Sequence, residues 1–145
     1  MSGILIAQDG LPFSISNPGS SYPADRADAI GGVNPYFGNY QSTLQYLNPA
    51  AFATIPIIAV SGASARPGTS GRNAYFYPGM WNLDASFVKG FAITEKVRIQ
   101  LRGDFFNSLN HTNLTGISGS LTSSTFGKLT SATSRSVQLG GRLEF

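Results

Sequence analysis

The last third of the chain contains three stretches in which apolar and polar residues alternate at every second position. They cover residues 81–91, 96–105 and 137–145. Because successive side chains of a β-strand point to opposite faces, each stretch predicts a strand with one apolar face and one polar or charged face. The sequence therefore predicts an all-β fold, in which the three strands form one antiparallel sheet in sequence order.

Two kinds of antiparallel sheet have strands of this pattern. A soluble sheet buries its apolar face on a core, whereas a transmembrane β-barrel turns that face to lipid and its polar face to the lumen. Strand length favours the barrel, because soluble strands usually have about 5–6 residues and tilted membrane strands need about 9–11. Charged residues make up only 12% of the chain, about half of their usual share in soluble proteins. We therefore expect a long-stranded segment of a transmembrane barrel.

The barrel interpretation assigns the charged and the aromatic strand residues to different faces. A lumen-facing ladder of compensating charges is predicted from Asp84, Arg98, Arg102, Asp104, Arg142 and Glu144. Aromatic girdles on the lipid-facing side are predicted from Trp81, Phe87, Phe91, Phe105 and Phe145. Trp81 and Phe105 are expected near one end of the apolar face, and the other three near the opposite end.

The connection between the first two strands fixes their predicted register. Residues 92–94 are expected to form a short turn, and so short a connection implies an antiparallel hairpin. Pairing Trp81 with Phe105 across this hairpin places Asp84 opposite Arg102 on the polar face. We expect these two side chains to lie within salt-bridge reach.

The rest of the chain has a different character. Residues 3–9 are expected to form a short strand, residues 13–79 a long loop, and residues 80–145 the three barrel strands with one further loop. The long loop lacks sustained periodicity and holds seven of the eight prolines. Segments of this kind occur as long extracellular loops of barrels. Within it, Asn48 and Pro49 predict a capped helical turn.

We expect the protein not to be an enzyme and to need no cofactor or metal. His111 is the only histidine, and its Asn and Thr neighbours are poor metal ligands, which favours a structural role. The absence of cysteine excludes disulfides and thiolate metal sites. The basic residues are scattered, whereas a nucleic-acid surface needs a basic patch, so nucleic acid is not an expected partner. The loop aromatics Tyr36, Phe37 and 75–77 are expected either to touch a ligand or to pack within the loop.

Short phrases spread over nearly the whole chain are shared with a known family. The most specific are Lys-Gly-Phe-Ala-Ile-Thr-Glu at 89–95 and Phe-Phe-Asn-Ser-Leu-Asn-His-Thr-Asn at 105–113. The others lie, in the family order, at residues 2–13, 46–52, 71–73, 79–84, 126–131 and 143–145. Together they resemble the carboxy-terminal end of TonB-dependent outer-membrane receptors, specifically their Oar-like branch.

This resemblance implies a fold and a function. The fold is a large barrel, of which this chain supplies about four strands and two long outer loops. The function is uptake of a bulky ligand across the bacterial outer membrane, driven by the TonB complex. The resemblance also implies that Phe145 is a signal for the barrel-assembly machinery. We expect Phe145 to point to lipid near the periplasmic edge, level with Phe91.

The sequence shows neither the plug nor the TonB box of that family. Four strands do not close a barrel, because closure typically takes about eight or more, and no secretion signal is visible near Met1. We therefore expect the remaining strands and the plug in the rest of a parent chain. Through that parent protein, the expected partners are outer-membrane lipid, the TonB complex and the assembly machinery.

A second hypothesis belongs to another class of protein. A sheet with two unpaired edges can pair with copies of itself. The alternative function is therefore a self-assembling β-rich structural protein, either an oligomeric tube or an extracellular filament.

Overall fold

The computed structural model describes residues 1–19, 22 and 26–145. Its regular structure is almost entirely antiparallel strand, so the predicted all-β fold is confirmed. In chain order the elements are β1 (Ser2–Gln8), β2 (Pro12–Phe13), β3 (Asp28–Ala29), α1 (Tyr40–Thr43), a 3-10 helix (Pro49–Ala51), β4 (Phe52–Ala53), β5 (Tyr75–Phe76), β6 (Met80–Ala92), β7 (Arg98–Phe106), β8 (Leu114–Thr115), β9 (Ser131–Ala132) and β10 (Ser136–Glu144).

The chain divides into two compact units. The sheet unit comprises Met1–Gln8, Gly79–Asn113 and Thr133–Phe145. The loop unit comprises Asp9–Pro78 and Leu114–Ala132. Over the part of the chain that the structure describes, no helix has the length and apolar character needed to cross a membrane.

The sheet unit contains one four-stranded sheet in the order β1-β6-β7-β10, and every neighbouring pair is antiparallel. β6 has 13 residues, and β7 and β10 have nine each, which are lengths that suit membrane strands. The three predicted strands are thus confirmed as neighbours in sequence order. β1 adds a fourth strand beside β6, in the interval where a short strand is expected.

The predicted register between β6 and β7 is wrong by four residues, because Ala85 rather than Trp81 lies opposite Phe105. The length of the turn causes this shift. β6 continues to Ala92 and β7 begins at Arg98, so five residues rather than three connect the two strands.

Thr94 stabilises this longer turn. Its hydroxyl accepts a hydrogen bond from the amide of Val97 at 3.1 Å, while the amides of Ile93 and Thr94 donate to the Val97 carbonyl at 2.9 and 3.2 Å. Threonine hydroxyls that bond the backbone in this way favour a turn over continued pairing. A shift by an even number of residues leaves every side chain on its predicted face.

The loop unit folds around a small apolar core. Its short strands pair as β2 with β5, β3 with β4 and β8 with β9. Leu47 is fully buried. Phe52 makes edge-to-face ring contacts with Tyr75 at 5.1 Å and with Phe126 at 5.7 Å, an arrangement that aromatic pairs prefer. The expected long loop is therefore irregular in its backbone yet packed on buried side chains.

The helical turn predicted inside this segment is present. A single turn of 3-10 helix starts at Pro49, and the side-chain oxygen of Asn48 accepts a hydrogen bond from the Ala50 amide at 3.1 Å. This bond satisfies an amide that has no partner inside the helix.

Candidate functional site

The register places all six predicted lumen charges on one face of the sheet. Ser86 lies opposite Asp104, Asp104 lies opposite Gln138, and Glu144 lies opposite Arg98. Because side chains alternate along each strand, the even-numbered residues of all four strands share this face. We name it the polar face, and we name the face of the odd-numbered residues the apolar face.

Charges on the polar face pair along a strand rather than across neighbouring strands. Arg102 Nε donates to Asp104 Oδ2 at 2.8 Å in β7, and Arg142 Nε lies 3.2 Å from Glu144 Oε1 in β10. The Ser86 hydroxyl donates to Asp104 Oδ1 at 2.6 Å. Residues two apart in a strand share a face, which lets opposite charges meet there. The polar face thus carries charges that largely neutralise one another.

The predicted contact between Asp84 and Arg102 is wrong. In the observed register Arg102 lies further along the hairpin, toward the turn, and its guanidinium bonds Asp104. The Asp84 carboxylate instead accepts hydrogen bonds from the Asn82 side chain at 2.6 Å and from the Asn107 amide at 2.9 Å. Asp84 therefore anchors the segment that follows β7.

The apolar face leaves large hydrophobic side chains exposed. They are Leu5, Phe87, Phe91, Leu101, Val137, Leu139 and Leu143. An apolar patch of this extent marks a surface that contacts another protein or a membrane. Among the strand residues on this face, Lys89 is the only one that carries a charge.

Phe87 and Phe105 pack against each other, so the expectation that they lie near opposite ends of the apolar face is wrong. Their ring centroids are 5.8 Å apart in an edge-to-face arrangement. The register explains the contact, because Phe87 lies opposite Gly103, two residues from Phe105 on β7. Gly103 has no side chain and leaves room for the neighbouring rings.

Phe145 lies beyond the end of β10 and is 98% exposed. Leu143 lies opposite Ile99, which in turn lies opposite Phe91. Leu143 is therefore level with Phe91, and the expected level of Phe145 is wrong by two residues.

Two buried asparagines hold the segment that follows β7, and sequence analysis missed both. The Asn113 side chain accepts a hydrogen bond from the Trp81 amide at 3.0 Å and donates to the Trp81 carbonyl at 2.8 Å. The Asn107 side chain accepts a hydrogen bond from the His111 amide at 2.9 Å and donates to the His111 carbonyl at 2.8 Å. A carboxamide has one acceptor and one donor group, so it can replace a strand partner. We name Asn107 and Asn113 the asparagine clasp.

His111 stacks on Trp81, with ring centroids 4.1 Å apart. The backbone of Asn107 and Asn110 has φ values of 53° and 52°, in the left-handed region that asparagine tolerates better than most residues. The frequency of asparagine in this segment is the signal that could have revealed its fixed conformation. Among the described residues, no group of three or more His, Cys, Asp or Glu side chains is placed to hold a metal ion.

The best-formed ion pair of the loop unit joins Asp28 to Arg66. Two hydrogen bonds of 2.7 and 2.6 Å link the guanidinium to the carboxylate, and the Thr69 amide donates to the same carboxylate at 3.1 Å. The hydrogen-bonded Arg66 guanidinium holds the pKa of Asp28 below its ordinary value of 3.8. This pair connects two distant parts of the long loop.

The loop aromatics pack largely against one another. The Tyr36 ring lies 5.1 Å from Tyr46, and its hydroxyl accepts a hydrogen bond from the Phe76 amide at 3.0 Å. Tyr75 is buried, whereas the Phe76 ring stays about half exposed. Of the two expected roles, packing within the unit accounts for Tyr36 and Tyr75.

Long antiparallel strands with one exposed apolar face and one charged face suit the wall of an outer-membrane β-barrel. The model of one protein family, described as outer membrane beta barrel domain, matches residues 1–138. The chain belongs to this family, and its location is the bacterial outer membrane. No curated protein and no solved structure matches the chain.

Proposed function

We propose that this chain forms the carboxy-terminal part of the barrel of a TonB-dependent transporter for a bulky ligand, of the Oar-like type. The observation that carries the proposal is the four-stranded sheet, whose long strands separate an exposed apolar face from a charged face. The apolar face contacts lipid and the polar face lines the lumen. Phrases at 89–95 and 105–113 support the choice of this branch within the barrel family.

The strand ends support one orientation in the membrane. Gln8 lies opposite Met80 and Ser136 lies opposite Phe106, so the long connections leave the sheet at one end. The short turn 93–97 lies at the other end. Outer-membrane barrels have short periplasmic turns and long extracellular loops. In this proposal the turn faces the periplasm and the long connections leave the sheet on the extracellular side.

The polar face suits the wall of a lumen. Its charges are paired within β7 and β10, and Ser86 satisfies a further oxygen of Asp104. Pairing of this kind provides a polar surface without a strong field of one sign. In this proposal the protein is a transporter part and not an enzyme. Its partners are the remaining strands and plug of the parent chain, lipid, the TonB complex and the barrel-assembly machinery.

A second function is favoured by the edges of the sheet. Within the described residues, β1 and β10 each pair with a single neighbouring strand. The two edge strands run in opposite directions, because three antiparallel steps separate them. Pairing β10 of one copy with β1 of the next would therefore continue the antiparallel order. This geometry supports a self-assembling tube or extracellular filament as the alternative.

The size and partners of the natural gene product separate these two functions. The gene is expressed with its natural upstream sequence, and the product is detected in outer-membrane fractions with an antibody against residues 26–78. A larger product with a plug, which captures the periplasmic domain of TonB, is expected for the transporter. A product of this chain's own size that forms oligomers resistant to detergent would instead establish the alternative.

A further inference from the structure

The apolar face contains a shallow depression beside its only charged strand residue. The depression has a volume of about 500 Å³, and Phe87, Gly103, Phe105 and Leu139 contribute to its lining. Gly103 forms its floor, since the neighbouring residues on this face project side chains and Gly103 does not. Lys89 lies on the rim. Arg102 also contributes to the lining, but its side chain belongs to the polar face, where it bonds Asp104. The feature therefore combines an apolar hollow with one basic side chain on the apolar face, that of Lys89.

The Lys89 side chain points toward the turn end of the sheet. Its ammonium nitrogen lies 5.9 Å from the ring centroid of Phe91, the next apolar-face residue before the turn. Lysine side chains in membrane proteins extend along apolar surface in this way to bring their charge to the interface. The ammonium is therefore displaced from the middle of the strand toward the membrane surface on the turn side.

We propose that this depression binds one phospholipid of the periplasmic leaflet, with the phosphate on Lys89 and part of an acyl chain over Gly103. Charge complementarity selects the phosphate, because the ammonium is the only charge on an otherwise apolar strand face. The hollow then takes the chain that extends from the headgroup toward the middle of the membrane. The inference rests on the sheet orientation proposed above, but not on TonB-driven transport.

Lipid binding by the full chain in detergent micelles tests this inference. Delipidated protein is titrated with short-chain phosphatidylglycerol, with diacylglycerol of the same chains, and with inorganic phosphate, and bound molecules are counted by native mass spectrometry. We expect phosphatidylglycerol to bind about fivefold more tightly than diacylglycerol, because one basic side chain contributes about that factor to anionic lipid binding. Inorganic phosphate is expected neither to bind nor to displace the lipid.

Variants separate the charge from the hollow. Lys89→Met is expected to remove the preference for phosphatidylglycerol, and Lys89→Arg to keep it. Gly103→Leu is expected to weaken the binding of both lipids, because its side chain would fill the hollow. A Cβ added at this position would lie 3.3 Å from the Phe105 ring. Lys128→Met, an identical change at an exposed lysine of the loop unit, serves as the control. Far-ultraviolet circular dichroism checks that each variant keeps its strands.

The outcomes distinguish failure of this inference from failure of the orientation. The Lys89 site is overturned if wild type binds phosphatidylglycerol and diacylglycerol equally well. It is also overturned if Lys89→Met keeps the wild-type preference for phosphatidylglycerol. Either result would still be consistent with a lipid-facing surface. Displacement of phosphatidylglycerol by inorganic phosphate would show an anion site rather than a lipid site. If neither lipid binds and the chain stays folded in water without detergent, the proposed orientation fails as well.

Discussion

The sheet unit and the loop unit use their apolar residues in opposite ways. In the loop unit Leu47 is 0% exposed, whereas in the sheet unit Leu139 is 82% exposed. Of the described residues in the sheet unit, only Asn107 and Asn113 are buried, and both are polar. The loop unit follows the rule of a soluble protein with an apolar core. The sheet unit follows the rule of a membrane wall, in which lipid replaces the core.

The two units also differ in what fixes their geometry. Backbone ladders hold the sheet in register, and the asparagine clasp adds side-chain bonds at one end. In the loop unit the regular pairs are only two residues long. Ring packing around Phe52 and the Asp28–Arg66 ion pair therefore define that unit instead. The difference predicts that equivalent substitutions have unequal effects in the two units.

The largest effect is expected from Leu47→Ala compared with Leu139→Ala. Truncating the fully buried leucine removes contacts and leaves a cavity, at a cost of about 2–5 kcal/mol in the free energy of unfolding. Leu139→Ala is expected to cost less than about 0.5 kcal/mol, as is usual for exposed positions. Urea titration of the full chain in detergent micelles measures both variants.

Intrinsic probes assign each transition to its unit. All six tyrosines lie in Asp9–Pro78 and the single tryptophan is Trp81. Tyrosine circular dichroism therefore follows the loop unit, and tryptophan fluorescence follows the sheet unit. An equal loss of unfolding free energy in Leu47→Ala and Leu139→Ala would show that the apolar face is packed in the folded protein. The two units would then use their apolar residues in the same way.

The faces of the sheet could be predicted from the sequence because they depend only on alternation. A shift of four residues leaves the alternation unchanged, so Asp84 and Arg102 share a face in both the predicted and the observed register. The register itself depends on the turn. The Thr94 hydroxyl accepts a hydrogen bond from the Val97 amide and so favours a five-residue turn. The alternation of residues within the strands does not predict this bond.

The core of the loop unit is not predictable from periodicity for a related reason. Ile15, Phe52 and Phe126 belong to distant segments, and the short strands around them are too brief to show alternation. The capped turn at Asn48 could be predicted, because its signal is local. The clasp at Asn107 and Asn113 is formed by side chains that bond backbone groups. Sequence analysis missed it, and the asparagine content of that segment is the signal that could have indicated it.

A smaller effect is expected from breaking the asparagine clasp with Asn113→Ala. The change leaves the partly buried amide and carbonyl of Trp81 without their partner, at a cost of about 1–3 kcal/mol. Asn113→Asp keeps the acceptor and loses the donor, so an intermediate cost is expected. Tryptophan fluorescence during urea unfolding measures the loss of unfolding free energy in the sheet unit. The urea midpoint of the loop unit, followed by tyrosine circular dichroism, is expected to be unchanged.

Thr112→Ala is the matched control for the clasp. This neighbouring residue is exposed, and its truncation is expected to change the free energy of unfolding by less than about 0.5 kcal/mol. If Asn113→Ala behaves like Thr112→Ala, the sheet unit depends on its backbone ladders alone.

The Asp28–Arg66 pair predicts a pH dependence confined to the loop unit. The pKa of Asp28 is lowered in the folded chain, chiefly by its hydrogen bond to Arg66. The ionised Asp28 carboxylate therefore adds to the free energy of unfolding of the loop unit above its unfolded pKa, near 3.8. This stabilisation is lost as pH falls through the lower folded pKa. Asp28→Asn is expected to cost about 1–2 kcal/mol at pH 7, a modest value because Arg66 is partly solvated.

Unfolding of wild type and Asp28→Asn is compared from pH 7 down to pH 2.5, with tyrosine circular dichroism as the signal. The difference between the two proteins is expected to shrink below about pH 4. Asp9→Asn, at an exposed carboxylate of the same unit, is expected to show little difference at any pH. If the difference in unfolding free energy between wild type and Asp28→Asn is the same at every pH, the carboxylate charge is not the source of the stability.

The smallest effect on stability is expected at Phe145, although its effect on assembly is expected to be large. This residue is 98% exposed and follows the last strand, so Phe145→Asp is expected to change the free energy of unfolding by less than about 0.5 kcal/mol. Val60→Asp in the loop unit is a matched control, because Val60 is also 98% exposed. Both variants are made in the natural gene product, and the folded fraction in outer membranes is measured as the heat-modifiable band on gels. If Phe145 is the signal read by the assembly machinery, only Phe145→Asp lowers that fraction. A folded fraction equal to wild type in both variants would remove the signal role and would strengthen the self-assembling alternative, in which an exposed terminal aromatic has no assembly partner.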